Sequence, residues 1–170
     1  MTAVSHKIAV REKGQQTARS TDVYLPKAGL KETAICRECH LIYRNKRWYL
    51  DAAEGERLMG DRETQKGICP ACRRAADNMP AGIVTLSGPY LVKHAEEIIN
   101  MLRHIENKSR EKNPLGRIME IREEPAVFTI TTTEDKLAQK LGREIFRAHK
   151  GELNYRWNHE EKFVRVAWNR

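Results

Sequence analysis

The chain's four cysteines fall in two pairs, CREC at residues 36–39 and CPAC at residues 69–72, with 29 residues between them. Two C-x2-C turns at this kind of separation have the ligand spacing of a zinc site. A tight turn after the first thiolate brings the second onto the same ion, so each pair supplies two corners of a tetrahedron. Nearby cations, here Arg37, Arg73 and Arg74, would help keep Cys36, Cys39, Cys69 and Cys72 ionised. Four thiolate ligands leave no open coordination position, so such a site is structural rather than catalytic. A thiol–disulfide switch and an iron–sulfur centre could use the same residues, and the spacing favours zinc. His40 follows Cys39 directly and is expected outside the ligand set, because four thiolates already fill it.

The segment after the first pair, LIYRNKRWYL, reads as two short strands joined by a turn over RNK. An ion held at the base would fix this hairpin, with Arg44, Lys46 and Arg47 at its tip and Tyr43, Trp48 and Tyr49 beside them. Cations for phosphate and rings for stacking are the usual elements of RNA or single-strand binding. The alternative is that the rings form the small core of the module and the cations solvate its tip.

Composition sets wider bounds. The chain has 170 residues, a net charge of +8, 40% hydrophobic and 32% charged residues. That suits one domain or two small ones and argues against wholesale disorder. No apolar run is long enough to span a bilayer, and the N-terminus lacks the pattern of a secretory signal, so a cytoplasmic protein without a membrane role is expected. In that reducing compartment, paired cysteines hold metal more often than they form disulfides. Residues 1–75 carry 15 Lys/Arg against 9 Asp/Glu, whereas residues 76–170 carry 16 against 14. A basic front half points to a polyanion, or equally to a basic surface with no specific partner. Residues 1–31 show no sustained period and read as a flexible basic tail.

The elements that position these residues fall in two blocks. Residues 32–80 form the four-cysteine zinc ribbon, with 51–67 an exposed insertion that can carry one helical turn, and a short helix after Cys72. Residues 81–170 form an α+β domain. IVTLSG reads as a strand, and Leu91, Ala95, Ile98, Leu102 and Ile105 recur at helical spacing over 90–110. RIMEIRE and AVFTITT follow as strands. A second helix begins at TTEDK with Thr133 as N-cap and a C-terminal cap at Gly151, and ELNYRW and KFVRVAW close as a hairpin. The fold class is α+β, a β-α-β-β-α-β-β sandwich with two helices on one face of a mostly antiparallel sheet.

On the second helix Leu137, Leu141, Ile145 and Ala148 share one side, while Lys136, Lys140, Arg143, Arg147 and Lys150 share an arc of about 80° opposite, with no acid among them. A charged face is usually only solvated, but an all-cation stripe suits phosphate without selecting sequence. There is no Walker loop, G-x-G-x-x-G or G-x-S-x-G, and none of the six histidines falls in a metal or nucleophile pattern. No enzymatic activity is expected.

CRECH, CPACRR, PAGIVTLSGPY, NPLGRIMEI and TTTEDKLAQKLGREIFRAHKGELNYRW together resemble a bacterial zinc-ribbon family, over residues 36–170. That family is distantly similar to the archaeal and eukaryotic export adaptor of the large ribosomal subunit, known for its link to nonsense-mediated decay. The chain has two knuckles where the adaptor carries a larger set. The resemblance implies a Zn2+ cofactor, ribosome association, ribosomal RNA as partner, and ribosomal proteins beside it. A protein–protein adaptor and a redox-sensing zinc switch are the competing readings.

Overall fold

The computed structural model describes residues 23–24, 30–158 and 162–170. The basic tail expected over 1–31 lies outside the described residues, apart from positions 23, 24, 30 and 31. The chain is a mixed α/β structure with two sheets and five helices among the described residues.

The first sheet is built from four three-residue strands, β1 (Ala34–Cys36), β2 (Ile42–Arg44), β3 (Arg47–Tyr49) and β4 (Gln65–Gly67), in the order β3-β2-β1-β4. The expected hairpin is present as β2 and β3. Its turn is tighter than RNK, because Asn45 and Lys46 alone make it, at φ 51° and 61°. Two consecutive positive φ values match the right-handed twist of the flanking strands, and asparagine tolerates them well.

The stretch 51–67 is more ordered than its composition suggests. Asp51 caps helix α1 (Ala52–Gly60), accepting from the Glu54 N–H, and β4 then pairs in parallel with β1. Leu58 supplies the buried anchor of α1 against Ile35 and Ile42. Helix α2 (Pro70–Ala76) follows, with Pro70 in its first turn, where a missing N–H costs nothing.

The second sheet contains β5 (Gly82–Ser87), β6 (Ile118–Glu124), β7 (Val127–Thr132), β8 (Glu152–Asn158) and β9 (Phe163–Asn169), in the order β6-β7-β5-β9-β8. All its pairings are antiparallel except β5 with β9. Val84, Leu86, Phe128, Ile130, Val164, Val166 and Trp168 point to one face and are buried there. Helices α4 (Ala95–Arg110) and α5 (Asp135–His149) close that face through Ile98, Leu102, Ile105, Leu137, Leu141 and Ile145. The opposite face, with Thr85, Thr129, Arg156 and Arg165, is half-buried or exposed. The order of elements and the helices on one face agree with expectation.

Four local expectations are corrected. The helix read over 90–110 is two, α3 (Pro89–Lys93) and α4, because His94 leaves helical geometry at φ −122°, ψ 19°. Its ring stacks on Tyr90 at 3.9 Å, a contact that helical spacing does not reveal. Thr133 is not the N-cap of α5; Glu134 is, and Thr133 Oγ1 instead accepts from the Arg117 N–H at 2.8 Å and donates to the Leu115 carbonyl at 2.6 Å. Lys150, at φ 59°, is the C-cap, and Gly151 follows it at φ 92°. On α5, Ala148 is exposed and His149 takes the buried position.

One glycine records how closely α5 lies on the sheet. A Cβ at Gly82 would sit 2.5 Å from the Ala138 Cβ and 2.7 Å from Thr132 Oγ1. Strand propensity favours Gly82→Val, whereas packing forbids it. The variant is expected to lose about 1–3 kcal/mol, read as a lower urea midpoint. An unchanged or raised midpoint would show that α5 is packed more loosely than described.

Candidate metal centre

Cys36 ends β1, and Cys39 lies in the turn that follows. The Cys36 N–H donates to the Leu41 carbonyl at 2.8 Å and the His40 N–H donates back to the Cys36 carbonyl at 2.9 Å, which closes the turn. His40 sits at φ 59° to complete it, exposed and outside the ligand cluster. The Arg37 N–H, donating to the Gly67 carbonyl at 2.9 Å, ties this loop to β4, so β4 carries the first pair towards the second. Cys69 caps α2 and Cys72 lies in its first turn. Sulfur accepts backbone N–H groups here: Cys72 N to Cys69 Sγ at 3.4 Å, and Cys69 N to Cys36 Sγ at 3.3 Å.

The four Sγ atoms lie within 4.8 Å of one another. No disulfide joins them, and Cys39 Sγ to Cys69 Sγ is 3.6 Å. A tetrahedral ion with metal–sulfur bonds of about 2.3 Å has sulfur–sulfur edges of about 3.8 Å. The donor set therefore fits a tetrahedral thiolate-bound metal. Cys36 and Cys69 are fully buried, with Leu41 and Ala71 beside them and Trp48 and Leu115 packed against the cluster.

Four sulfurs so close cannot all ionise without positive charge. Hydrogen bonds from Cys36 and Cys69, with the Arg117 guanidinium adding to them, hold the Cys39 thiol far below its ordinary range. The same thiol contacts and burial push Cys69 far up, and burial with the Cys39 contact pushes Cys72 up to about 11. A divalent cation removes this conflict by stabilising every thiolate at once.

The cation that touches the sulfurs is none of the three next to the cysteines. Arg117, just before β6, places Nη2 2.9 Å from Cys39 Sγ and 3.8 Å from Cys69 Sγ, and Nη1 3.4 Å from Cys72 Sγ. Burial works against its charge, but the sulfur contacts outweigh it and raise its pKa. Its Nε donates to the Pro114 carbonyl at 3.2 Å, and its backbone N–H is held by Thr133. Arg37 instead pairs with Glu38 at 3.5 Å, and Arg74 lies over the Tyr24 ring at 4.4 Å. Sequence spacing cannot find Arg117, which is 45 residues beyond Cys72. Its only local mark is a place after Gly116 in NPLGR.

The hairpin tip divides by role. Arg44 Nη2 donates to Glu54 Oε1 at 2.6 Å, and the Tyr49 hydroxyl donates to Glu54 Oε2 at 2.9 Å. Glu54 thus binds the hairpin to α1, and this contact with Arg44 holds its carboxyl below the usual range. It also offsets the like charges of Arg44 and Arg47, which face each other across the ladder. Tyr43 and Trp48 meet at 5.2 Å, and Trp48 packs against the cysteine cluster. Lys46 and Arg47 are the exposed cations of the tip.

On α5, Lys136, Arg143, Arg147 and Lys150 are exposed and Lys140 is half-buried. Beside the stripe, Glu144 pairs with Arg147 at 3.0 Å. The Lys150 ammonium donates to the Arg147 carbonyl at 3.2 Å. The tip belongs to the first sheet and α5 packs on the second, so the expected nucleic-acid residues fall in two groups. In the closing hairpin, Tyr155 is half-buried and Trp157 is 48% exposed.

No family model, curated protein or solved structure matches the chain, so its function is argued from these residues. Arg117→Met keeps much of the side chain's bulk and removes its charge. The variant is expected to bind metal about 10- to 100-fold more weakly in competition with a chromophoric chelator. Unchanged affinity would mean that Arg117 packs against the cluster without stabilising its charge.

Proposed function

We propose that this chain is a zinc-stabilised, non-enzymatic RNA-binding protein of the cytoplasm that associates with the ribosome or its subunits. The observation that carries the metal half is the convergence of Cys36, Cys39, Cys69 and Cys72 within 4.8 Å without a disulfide. Sulfur-only ligation at tetrahedral spacing suits Zn2+, and the resulting N-terminal module is a zinc ribbon. Zinc supplies charge and geometry here, not reactivity, because no ligand position is left open.

The RNA half rests on the placement of charge. The chain carries +8, and the cations at the hairpin tip and on α5 are predominantly exposed. Lys46 and Arg47 stand on a two-residue turn held in register by β2 and β3, so they reach a partner without loop-ordering cost. Ribosomal RNA offers such a surface a dense phosphate array, and ribosomal proteins beside it would add contacts. Among the described residues, no helix is long and apolar enough to cross a membrane.

A protein adaptor is the second reading, favoured by the face of the second sheet that no helix covers among the described residues, where Thr85, Thr129 and Ala167 are half-buried or exposed. The two differ in their response to salt. Sedimentation of lysate through a gradient at low salt is expected to place the protein with ribosomal particles, and raised salt to release it. Lys46→Ala with Arg47→Ala should weaken the association and reduce its salt slope by about 1.5. Protein that stays at the top of a low-salt gradient contradicts ribosome association. Capture that resists both nuclease and salt favours the adaptor.

A further inference from the structure

The edge formed by α5 and β8 carries a second pairing of rings and cations that the hairpin tip does not include. Tyr155 and Trp157 project from the helix-covered side of β8, opposite Val166 and Val164. Their rings stack nearly parallel, 5.2 Å apart at 19°. Tyr155 is held from below, its hydroxyl 3.5 Å from the Gln139 carbonyl on α5. Trp157 is the outer ring, with one face covered by Tyr155 and 48% of the residue open. An aromatic platform that ends in an open ring at a sheet edge is ready to accept one more flat group.

Cations border this platform on both sides of the strand. Lys136, Lys140 and Arg143 lie along about 10 Å of α5. Arg143 is close enough to Tyr155 to pull its phenol back down against the upward push of burial. Among the described residues, no ion pair engages Lys136, Lys140 or Arg143. On the other face of β8, Arg156 stands directly opposite Arg165, and both are exposed. Like charges set opposite one another cost stability unless an anion comes between or beside them. β8 is also an edge strand, and among the described residues nothing pairs with its outer side.

We propose that the α5–β8 edge binds single-stranded RNA, with a base stacked on the open face of Trp157 and its flanking phosphates held by Lys136, Lys140 and Arg143. This deepens the RNA-binding reading above and rests on it. Base stacking requires an unpaired base, because a duplex keeps its ring faces covered. The site therefore selects single strands over duplexes and is indifferent to sequence, since every base offers a ring face. The hairpin tip, whose rings are engaged within its own module, reads phosphate without that preference.

The test is fluorescence anisotropy of the full-length, zinc-loaded chain. The probes are labelled oligouridine and oligoadenosine about ten nucleotides long, and their duplex. The wild-type chain is expected to bind the single strands more tightly than the duplex. Trp157→Ala should weaken single-strand binding about ten-fold and leave duplex binding unchanged, while Trp157→Phe, which keeps a ring, should stay within about two-fold of wild type. Joint replacement of Lys136, Lys140 and Arg143 by Ala should lower the salt slope by about 2. Thermal melting of each variant separates loss of binding from loss of fold. Wild-type affinity in Trp157→Ala, with binding lost in the Lys46/Arg47 variant, overturns this site while the RNA-binding reading stands. Absence of any oligonucleotide binding by the wild type overturns both. A nuclease-resistant protein partner lost on Trp157→Ala would make the edge a protein-docking surface and overturn the proposal.

Discussion

The concentration of negative charge at four sulfurs is the constraint on which the structure depends. Cys36, Cys39, Cys69 and Cys72 converge within 4.8 Å, and two of them are fully buried. Four thiolates around a dication leave a net charge of about −2, which a poorly hydrated site does not tolerate without compensation. Arg117 provides it from outside the N-terminal module, with contacts to three of the four sulfurs. The salt-bridge-like contact therefore does two jobs. It sets a positive charge against the sulfurs, and it joins the cysteine module to the start of β6. Thr133 and Pro114 hold the arginine in place, so the joint reaches into the core sheet and the entry to α5.

Mechanical consequences follow from this joint. The hairpin of β2 and β3 springs from the loop after Cys39, and Glu54 locks its base to α1. The cations of the tip are thus fixed relative to the cysteine cluster. The cations of α5 are fixed relative to the second sheet. Arg117 links the module that carries the first set to the sheet that carries the second. That link adds rigidity to the cysteine module. Three short strands and one polar strand could not supply that rigidity alone, because so small a module buries little apolar area.

Much of this was legible in the residues, and the exceptions have identifiable physics. C-x2-C spacing is local and carries its own geometry, so the ligand set is readable without a structure. The alternation of Val164, Val166 and Trp168 marks a half-buried strand in the same way. Helix α1 was hidden by Gly55 and Gly60 and by mixed charge. Gly55 is there for space, since a Cβ would come within 3.0 Å of the His40 carbonyl. β4 consists of Gln, Lys and Gly, and only its pairing with β1 makes it a strand. Arg117 was invisible for the same reason, because its role exists only once the chain has folded across 78 residues to Cys39. The openness of Trp157 is likewise not written in its strand pattern, because β8 is an edge strand and its outer ring is left open.

X-ray absorption at the metal edge of the purified chain tests the central claim most directly. A single shell of four sulfur scatterers at about 2.3 Å, on one equivalent of zinc per chain, is the predicted result. A mixed nitrogen, oxygen and sulfur shell, or a chain that purifies folded without stoichiometric metal, would contradict it.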